Sequence, residues 1–262
     1  MVKLQIVGGG KMGEALLAGL IADGWAEPAA VHVVEKVEAR RADLAARFPG
    51  ISVGTDLAPA DGTVIAVKPA DVASVASALS SIGGGRVLSI AAGVTLASLE
   101  AACGPDVAVI RAMPNTPSLV GQGAAAISGG TDVAEPDLAW AESILRAVGT
   151  VVRVPEPLLD AVTGLSGSGP AYVFLVAEAM AEAGVLAGLP RDIAEALTAQ
   201  TLLGAATLLT ESAEPAPVLR ANVTSPGGTT AAGLRELERG GVRAAFLDAV
   251  ASAAARSREL GA

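Results

Sequence analysis

The stretch "LQIVGGGKMGEALLAGL", residues 4–20, joins a short aliphatic run to a helical pattern through three consecutive glycines. Within it, Gly8, Gly10 and Gly13 form the spacing G-x-G-x-x-G at the start of the helix. In such a turn the first glycine permits the tight bend, the second lets a pyrophosphate touch the backbone, and the third lets the helix pack closely on the strand. Glycine-rich turns are common, so the motif predicts a dinucleotide site only where strands and helices alternate around it.

The chain around this turn alternates between β-branched runs and helical patterns as far as residue 154. We predict strands at 4–8, 31–35, 62–68, 85–90, 107–113, 123–128 and 150–154, and helices at 11–24, 36–48, 70–82, 95–103 and 134–147. This alternation indicates right-handed βαβ units and a mostly parallel, doubly wound sheet. Beyond it only helical periodicity remains. The predicted fold class is α/β, with a Rossmann-like dinucleotide-binding domain at 1–154 and an all-helical domain at 155–262.

Glu35 ends the second predicted strand, about 20 residues beyond the glycines, as the dinucleotide motif requires. An acid at this place accepts hydrogen bonds from the ribose 2′-hydroxyl of NAD and repels the 2′-phosphate of NADP. Lys36, Arg40 and Arg41 follow it and offer compensating charge, although a solvated helix face explains Arg41 at least as well. Both NADP(H) and NAD(H) therefore stay open as cofactors.

Further cofactor contacts are expected in the glycine turn and where later strands end, at the carboxyl edge of the sheet. These candidates are Lys11, Met12, Ala66, Val67, Lys68, Pro69, Ala91, Ala92 and Asn115. Two of them have structural alternatives, since Lys68 also fits a surface lysine and Asn115 a proline-shaped loop that steers the chain. In "LSGSGPAY", residues 165–172, we expect Ser168 to cap a helix entered at Pro170.

Composition excludes several other classes of protein. A net charge of −9 with 2% aromatic residues provides neither a basic face nor a stacking platform for nucleic acid. Cys103 is the only cysteine, which predicts no internal disulfide, no cysteine–histidine metal site and a reducing cytoplasm. The apolar run at 171–189 is interrupted by Glu178 and Glu182, which favours a buried or interface helix over a membrane span. We expect the first residues to form a strand and not a signal peptide.

The helical domain contains neither histidine nor lysine, because the only histidine is His32 and the last lysine is Lys68. A hydroxy-acid dehydrogenase needs a positioned histidine or lysine as general base, and we expect His32 to be a buried structural residue of the second strand. The domain offers hydroxyl groups instead: Ser166, Ser168, Tyr172, Ser225, Thr229 and Thr230. Hydroxyls are poor bases but good donors, and they suit a substrate that already carries its proton, such as a protonated imine.

A second glycine-rich turn lies in "VTSPGGTTAAGLREL", residues 223–237. Helical pattern flanks it on both sides, so it is not a simple linker. Backbone N–H groups and hydroxyls at a helix start form a site for a small anion.

These motifs resemble those of the pyrroline-5-carboxylate reductase family along nearly the whole chain. The matching stretches are "VGGGKMGEALLAGL", "AVKPADV", "SIAAGVTL", "IRAMPNTP", "LSGSGPAYVF" and "LRANVTSPGGTTAAGLRELE". The last follows the family's signature position by position. The resemblance implies reduction of 1-pyrroline-5-carboxylate to L-proline with NAD(P)H, the last step of proline biosynthesis. It also implies a cytoplasmic homodimer with interlocking helical domains, often assembled into a ring of dimers.

The resemblance further implies a substrate site between the cofactor and the helical domain. Ser225, Gly228 and Thr229 would hold the substrate carboxylate, and Thr230 would be the catalytic donor toward the ring nitrogen. Glu35 departs from the family, which often has a small neutral residue there, and this predicts readier use of NADH. Two alternatives stay open, a reductase of another small imine or keto carboxylate and a non-catalytic dinucleotide-binding dimer.

Overall fold

The computed structural model describes residues 2–82 and 85–261. Within these residues, eight strands form one sheet in the order β3-β2-β1-β4-β5-β6-β7-β8. The strands are β1 (Leu4–Val7), β2 (Val31–Val34), β3 (Ser52–Gly54), β4 (Thr63–Ile65), β5 (Arg86–Ser89), β6 (Ala108–Met113), β7 (Gly123–Gly129) and β8 (Gly149–Arg153). All neighbouring strands are parallel except β6 and β7. The predicted doubly wound, mostly parallel sheet is confirmed.

Two features of the sheet differ from the prediction. Strand β3 was not predicted, because it is three residues long and partly exposed and so carries no periodic pattern. Strand β7 runs antiparallel to β6, since only a loop with the short 3₁₀ helix Thr116–Val120 joins them. A parallel return needs a crossover of a dozen or more residues, which this connection does not provide.

Five helices cover the two faces of the sheet: α1 (Lys11–Ala22), α2 (Glu38–Arg47), α3 (Pro69–Ser80), α4 (Leu96–Cys103) and α5 (Glu135–Arg146). One buried cluster holds Leu16 and Leu20 of α1 together with Ile144 of α5. A separate cluster holds Val72 of α3 and Leu99 of α4. Both faces of a parallel sheet must be covered in this way, because its strands are apolar on both sides.

His32 is buried in β2, and both ring nitrogens have partners. Nδ1 lies 2.9 Å from Ser52 Oγ and Nε2 lies 2.9 Å from the carbonyl oxygen of Asp56. The ring therefore joins β2 to β3 and the loop after it, which is the structural role expected from the sequence.

Contacts divide the chain into one compact unit of residues 1–168 with 251–262 and a second of residues 169–250. The first unit continues past β8 through α6 (Leu159–Val162) and a π-helical turn at Thr163–Gly167. It also takes in the end of α11 (Val242–Leu260), where Ser257 Oγ lies 2.6 Å from Asp160 Oδ1. This division differs from the boundary at 154/155, which stays a prediction.

The second unit is entirely helical in secondary structure. It contains α7 (Gly169–Leu186), α8 (Arg191–Glu211), α9 (Ala216–Asn222), α10 (Thr229–Arg239) and the first part of α11. Among its described residues, those that are buried are Ala181, Ala194 and Thr198. Large apolar side chains are exposed instead, including Phe174 at 63% and Leu186 at 90%. One copy of this unit therefore has almost no core of its own.

By length and composition, residues 156–186 and 191–211 could each cross a membrane, and core helices of soluble proteins meet the same criterion. Glu178 and Glu182 lie one helical turn apart within α7. Two carboxylates in this helix favour a protein partner over lipid as the cover for its apolar side chains.

We predict that the protein is a dimer or a larger species in solution, because unpartnered apolar helices of this extent are covered in stable proteins. Phe174→Glu should weaken the assembly by at least about 2 kcal/mol per copy, since a charge would be buried at an apolar contact. Leu119→Glu, at an exposed leucine of the sheet unit, is the matched control. Sedimentation velocity distinguishes the species, and a stable, active 25.7 kDa monomer would contradict the prediction.

Candidate active site

A cleft of about 520 Å³ opens at the carboxyl ends of β1, β2 and β4. Strand β1 lies between β2 and β4, where the order of the strands reverses, and ligands of doubly wound sheets bind at this point. Of the predicted cofactor residues, Gly8, Gly10, Glu35, Ala66, Val67 and Lys68 line the cleft. Lys68 is exposed as well, so its surface position and its place in the cleft agree.

Lys36, which was expected near Glu35, also lines the cleft. The sequence did not indicate the other lining residues of the outer wall: Val37, Thr55, Leu57, Asp71, Ser74, Val75 and Ala78. Four of these belong to α3, and their spacing of three, four and seven residues from Asp71 marks one face of a helix. This periodicity is a signal that could have located the wall. The aliphatic side chains of Leu57 and Val75 provide an apolar surface of the kind that a flat heteroaromatic ring needs.

The glycine turn between β1 and α1 has the geometry that the motif requires. Gly8 has a φ of +107°, and a Cβ atom there would lie 2.5 Å from the carbonyl oxygen of Ala66. A Cβ on Gly13 would overlap the carbonyl oxygen of Gly8. Gly10 has open space where its Cβ would be, and in the described part of the chain no side chain caps α1 at that residue. These residues therefore fit a dinucleotide pyrophosphate at the start of α1.

The remaining predicted contacts adjoin this cleft or lie further along the same edge. Lys11 and Met12 begin α1, and Pro69 begins α3 directly after Lys68. The turn after β5 holds Ala91, which is buried, and Ala92, which is exposed. Contact of these residues with a cofactor stays a prediction.

Glu35 binds the glycine turn itself. Its Oε2 accepts a hydrogen bond from the Gly9 N–H at 2.9 Å, and its Oε1 accepts one from the Val37 N–H at 2.8 Å. The sequence did not single out Gly9, although a Cβ there would lie 2.6 Å from Leu44 Cδ1. A carboxylate has about four acceptor sites, so Glu35 keeps capacity for a ribose hydroxyl. The side chain thus connects the glycine turn to the start of α2.

The cations that follow Glu35 in the sequence have partners within the protein. Arg40 donates from Nε to the carbonyl oxygen of Gly9 at 2.7 Å and also bonds Glu14 and Asp43. These contacts hold the guanidinium of Arg40 against the back of the glycine turn.

The other two cations are engaged as well. Arg41 donates to the backbone carbonyls of Glu35 at 3.0 Å and Lys36 at 2.8 Å, so it is more than part of a solvated face. Lys36 Nζ lies 3.7 Å from Asp71 Oδ1. Arg40 and Lys36 thus have carboxylate partners, whereas the partners of Arg41 among the described residues are neutral carbonyl groups that leave its charge in place beside Glu35.

Asn115 uses its side-chain amide inside the protein. Nδ2 donates to the carbonyl oxygen of Ser166 at 3.0 Å, and Oδ1 accepts from the Ala124 N–H at 2.9 Å. The residue is buried and does not line the cleft. These contacts support its structural alternative, and its predicted contact with the cofactor stays untested.

The residues that follow Ser166 contradict one expectation from the sequence, the capping role of Ser168. Ser168 does not cap a helix, since it has helical dihedral angles of −86° and −20°, and its N–H bonds the carbonyl oxygen of Thr163 at 2.8 Å. The helix therefore runs through a π-turn into α7. Pro170 has no N–H to give to Ser166 four residues earlier, which leaves that carbonyl free for Asn115.

The helical unit holds the second glycine-rich turn. The Gly228 N–H bonds the carbonyl oxygen of Ser225 at 3.0 Å, and Gly227 has a φ of +71°, which closes a tight turn. Helix α10 begins directly after it at Thr229, with no side-chain cap at Gly228 in the region that the structure describes. Ser225, Thr229 and Thr230 are exposed. The structure thus brings the predicted substrate residues together at one helix start.

Comparison with known proteins identifies the family of the chain. A family profile described as pyrroline-5-carboxylate reductase dimerisation matches residues 156–260, and one described as NADP oxidoreductase, coenzyme F420-dependent, matches residues 3–93. A pyrroline-5-carboxylate reductase from Synechocystis sp. is 48% identical over 99% of this chain and 98% of its own length. The chain belongs to the pyrroline-5-carboxylate reductase family.

Solved pyrroline-5-carboxylate reductases share the whole fold. The structure from Coxiella burnetii has a TM-score of 0.94 at 38% identity and covers 100% of this chain and 99% of that chain. The Plasmodium falciparum pyrroline carboxylate reductase, solved with NADP bound, has a TM-score of 0.85 at 29% identity and covers 100% and 98%. The predicted family and fold are therefore confirmed along the full length of the chain.

We predict that Glu35→Ser lowers the KM for NADPH and raises the NADPH/NADH ratio of kcat/KM by about fivefold to tenfold, because a negative charge beside the ribose is lost. The lost hydrogen bonds to Gly9 and Val37 should weaken the binding of both cofactors alike. A change in the NADPH/NADH ratio therefore reports the effect of the charge. Glu38→Ser, at an exposed acid of α2, is the control. An unchanged ratio in Glu35→Ser would show that this carboxylate does not face the 2′ position.

Proposed function

We propose that the protein reduces 1-pyrroline-5-carboxylate to L-proline with NADPH or NADH, as an oxidoreductase acting on a C=N bond in proline biosynthesis. The observation that carries this proposal is the 48% identity to a curated pyrroline-5-carboxylate reductase over 99% of the chain. The bound dinucleotide supplies the hydride. Everything else that the reaction needs is binding, orientation and one positioned donor.

The side chains of the helical unit support imine reduction. Residues 169–250 contain no histidine or lysine, so they offer no ordinary general base for a hydroxy acid. The thiol of Cys103, in the other unit, is no substitute, because burial raises its pKa to about 11 and keeps it protonated. A protonated imine requires no base, since its carbon accepts the hydride and its nitrogen keeps the proton and becomes an amine.

Thr230 and Ser225 have different roles in this proposal. The turn Ser225–Gly228 and the start of α10 together present hydroxyls and backbone N–H groups, which suit a carboxylate. We assign Ser225, Gly228 and Thr229 to the substrate carboxylate. Thr230, one residue into α10, faces the ring nitrogen. As hydride adds to the carbon, the nitrogen gains a lone pair, and the Thr230 hydroxyl donates a hydrogen bond to it.

The proposal includes a homo-oligomer in the cytoplasm. The dimerisation profile spans α6 to α11, and α7 to α11 are helices that expose large apolar side chains in one copy. A second copy of the chain is the partner that covers them. The unpaired, buried Cys103 is compatible with the reducing conditions of the cytoplasm.

The direct test follows the oxidation of NADPH and of NADH with 1-pyrroline-5-carboxylate, beside the oxidised cofactors with a 2-hydroxy acid. We expect turnover with the imine and reduced cofactor, and none with the 2-hydroxy acid. Faster turnover of another cyclic imine or of a keto acid in the same assay would identify that compound as the substrate instead. Dinucleotide binding without any turnover would instead favour a non-catalytic dimer and overturn the proposal.

We predict that Thr230→Ala lowers kcat by about 10-fold to 100-fold, as expected for the loss of one positioned donor. The KM for the dinucleotide should barely change, because the glycine turn that binds it lies in the other unit. Thr224→Ala is the matched control, since the Thr224 hydroxyl bonds the Arg220 carbonyl oxygen at 2.6 Å within the chain. Steady-state kinetics that gave wild-type kcat, or a loss of cofactor affinity instead, would remove this role from Thr230.

Ser225→Ala should have a different kinetic effect from Thr230→Ala. We expect the KM for the imine to rise about tenfold with kcat changed less than about twofold, because the carboxylate is held alike in the ground and transition states. Initial rates over a range of substrate concentrations separate the two constants. A fall in kcat at unchanged KM would place Ser225 at the reacting bond instead.

A further inference from the structure

Glu14 of α1 forms ion pairs with two arginines of α2. It does not line the cleft. Its Oε2 bonds Arg40 and its Oε1 bonds Arg47, and its side chain is only 14% exposed. Asp43 bonds Arg40 from the other side. Two carboxylates thus balance two guanidinium groups in this cluster, which leaves no net charge behind the glycine turn.

Arg40 and Glu35 meet at the same residue of that turn. Glu35 accepts from the N–H of Gly9, whereas Arg40 donates to the carbonyl oxygen of Gly9. The hydrogen bond to Glu14 is the largest cause of a raised pKa for Arg40, so this guanidinium is a permanent charge. The electrostatic potential at Gly9 therefore depends on Glu35 and on how completely Glu14 and Asp43 neutralise Arg40.

We propose that Glu14 is a positioning residue for cofactor choice, which favours NADH by neutralising Arg40 and holding it away from a 2′-phosphate. The inference rests on the proposed function, since it concerns the dinucleotide of that reaction. Glu35 repels the phosphate from within the cleft, and Glu14 neutralises the cation that is bonded to the same glycine. Other cations near this edge are Lys36, paired with Asp71, Arg41, bonded to backbone carbonyls, and Lys68, which lines the cleft; replacement of Glu14 leaves all three in place.

Replacement of Glu14 by glutamine changes the charge and keeps the shape. The amide oxygen still accepts a hydrogen bond, but the cluster gains one net positive charge a short distance from the ribose end of the cleft. Such a charge attracts a 2′-phosphate and has little effect on a 2′-hydroxyl. The ratio of the two dissociation constants isolates this effect, because any loosening of the turn weakens both dinucleotides.

The test measures Kd for NADP⁺ and NAD⁺ by titration calorimetry on the full-length protein without substrate. We expect E14Q to lower the ratio of Kd for NADP⁺ to Kd for NAD⁺ about fivefold to tenfold. E142Q is the matched control, since Glu142 has the same 14% exposure, also carries two arginines, Arg146 and Arg153, and does not line the cleft. The double variant E14Q/R40Q should return the ratio to the wild-type value, because it removes the uncompensated guanidinium.

D43N supplies a second measurement if E14Q fails to fold, and it should lower the ratio about twofold because Asp43 is more exposed. The inference is overturned if neither variant lowers the ratio, if E142Q lowers it equally, or if the decrease persists in E14Q/R40Q. Wild-type protein that bound neither dinucleotide would overturn the proposed function and this inference with it. Wild-type binding with an unchanged ratio in the variants would overturn the inference alone.

Discussion

The close approach of α1 to the ends of β1 and β4 is the constraint on which the sheet unit, residues 1–168 with 251–262, depends. At Gly8 and Gly13 an added Cβ would meet backbone oxygen atoms, and backbone cannot move aside as a flexible side chain can. Because the helix starts so close to the strands, its first N–H groups lie at the edge of the cleft. Anion binding and close packing therefore have the same cause, and a side chain at either glycine would disturb both.

The backbone of this unit could be predicted from sequence because its requirements are local. Glycine spacing, strand length and helical periodicity indicated the turn, seven of the eight described strands and the helices that cover the sheet. The partners of long side chains could not be predicted in the same way. Arg40 looked like a candidate for a phosphate, yet its position depends on Glu14, 26 residues earlier in the chain. Only the packing of α2 beside α1 brings those two charges together.

The same limit explains the loop after β6 and the start of α7. "MPNTP" and "SGSGP" each permit a local interpretation, namely a steering loop and a capped helix start. In the structure the two segments complete each other, because the carbonyl oxygen that Pro170 cannot satisfy is bonded by Asn115, 51 residues from Ser166. A hydrogen bond over such a separation leaves no periodic pattern in the sequence. A side chain that satisfies a backbone group of a distant segment can therefore be recognised only once the fold is known.

The two units divide the requirements of the proposed reaction between them. The sheet unit supplies a cleft whose charge balance concerns the dinucleotide, and one group of its ion pairs, formed by Glu14, Arg40, Asp43 and Arg47, lies beside the glycine turn. The helical unit supplies hydroxyls and a helix start but almost no core. A unit that buries so little in one copy gains its stability from association, so its folding and its assembly are linked. The predicted donors Ser225 and Thr230 are at the start of one of these helices, so we expect a precise substrate site to require the assembled protein. On this proposal, oligomerisation contributes to the positioning of the substrate and, through it, to the rate.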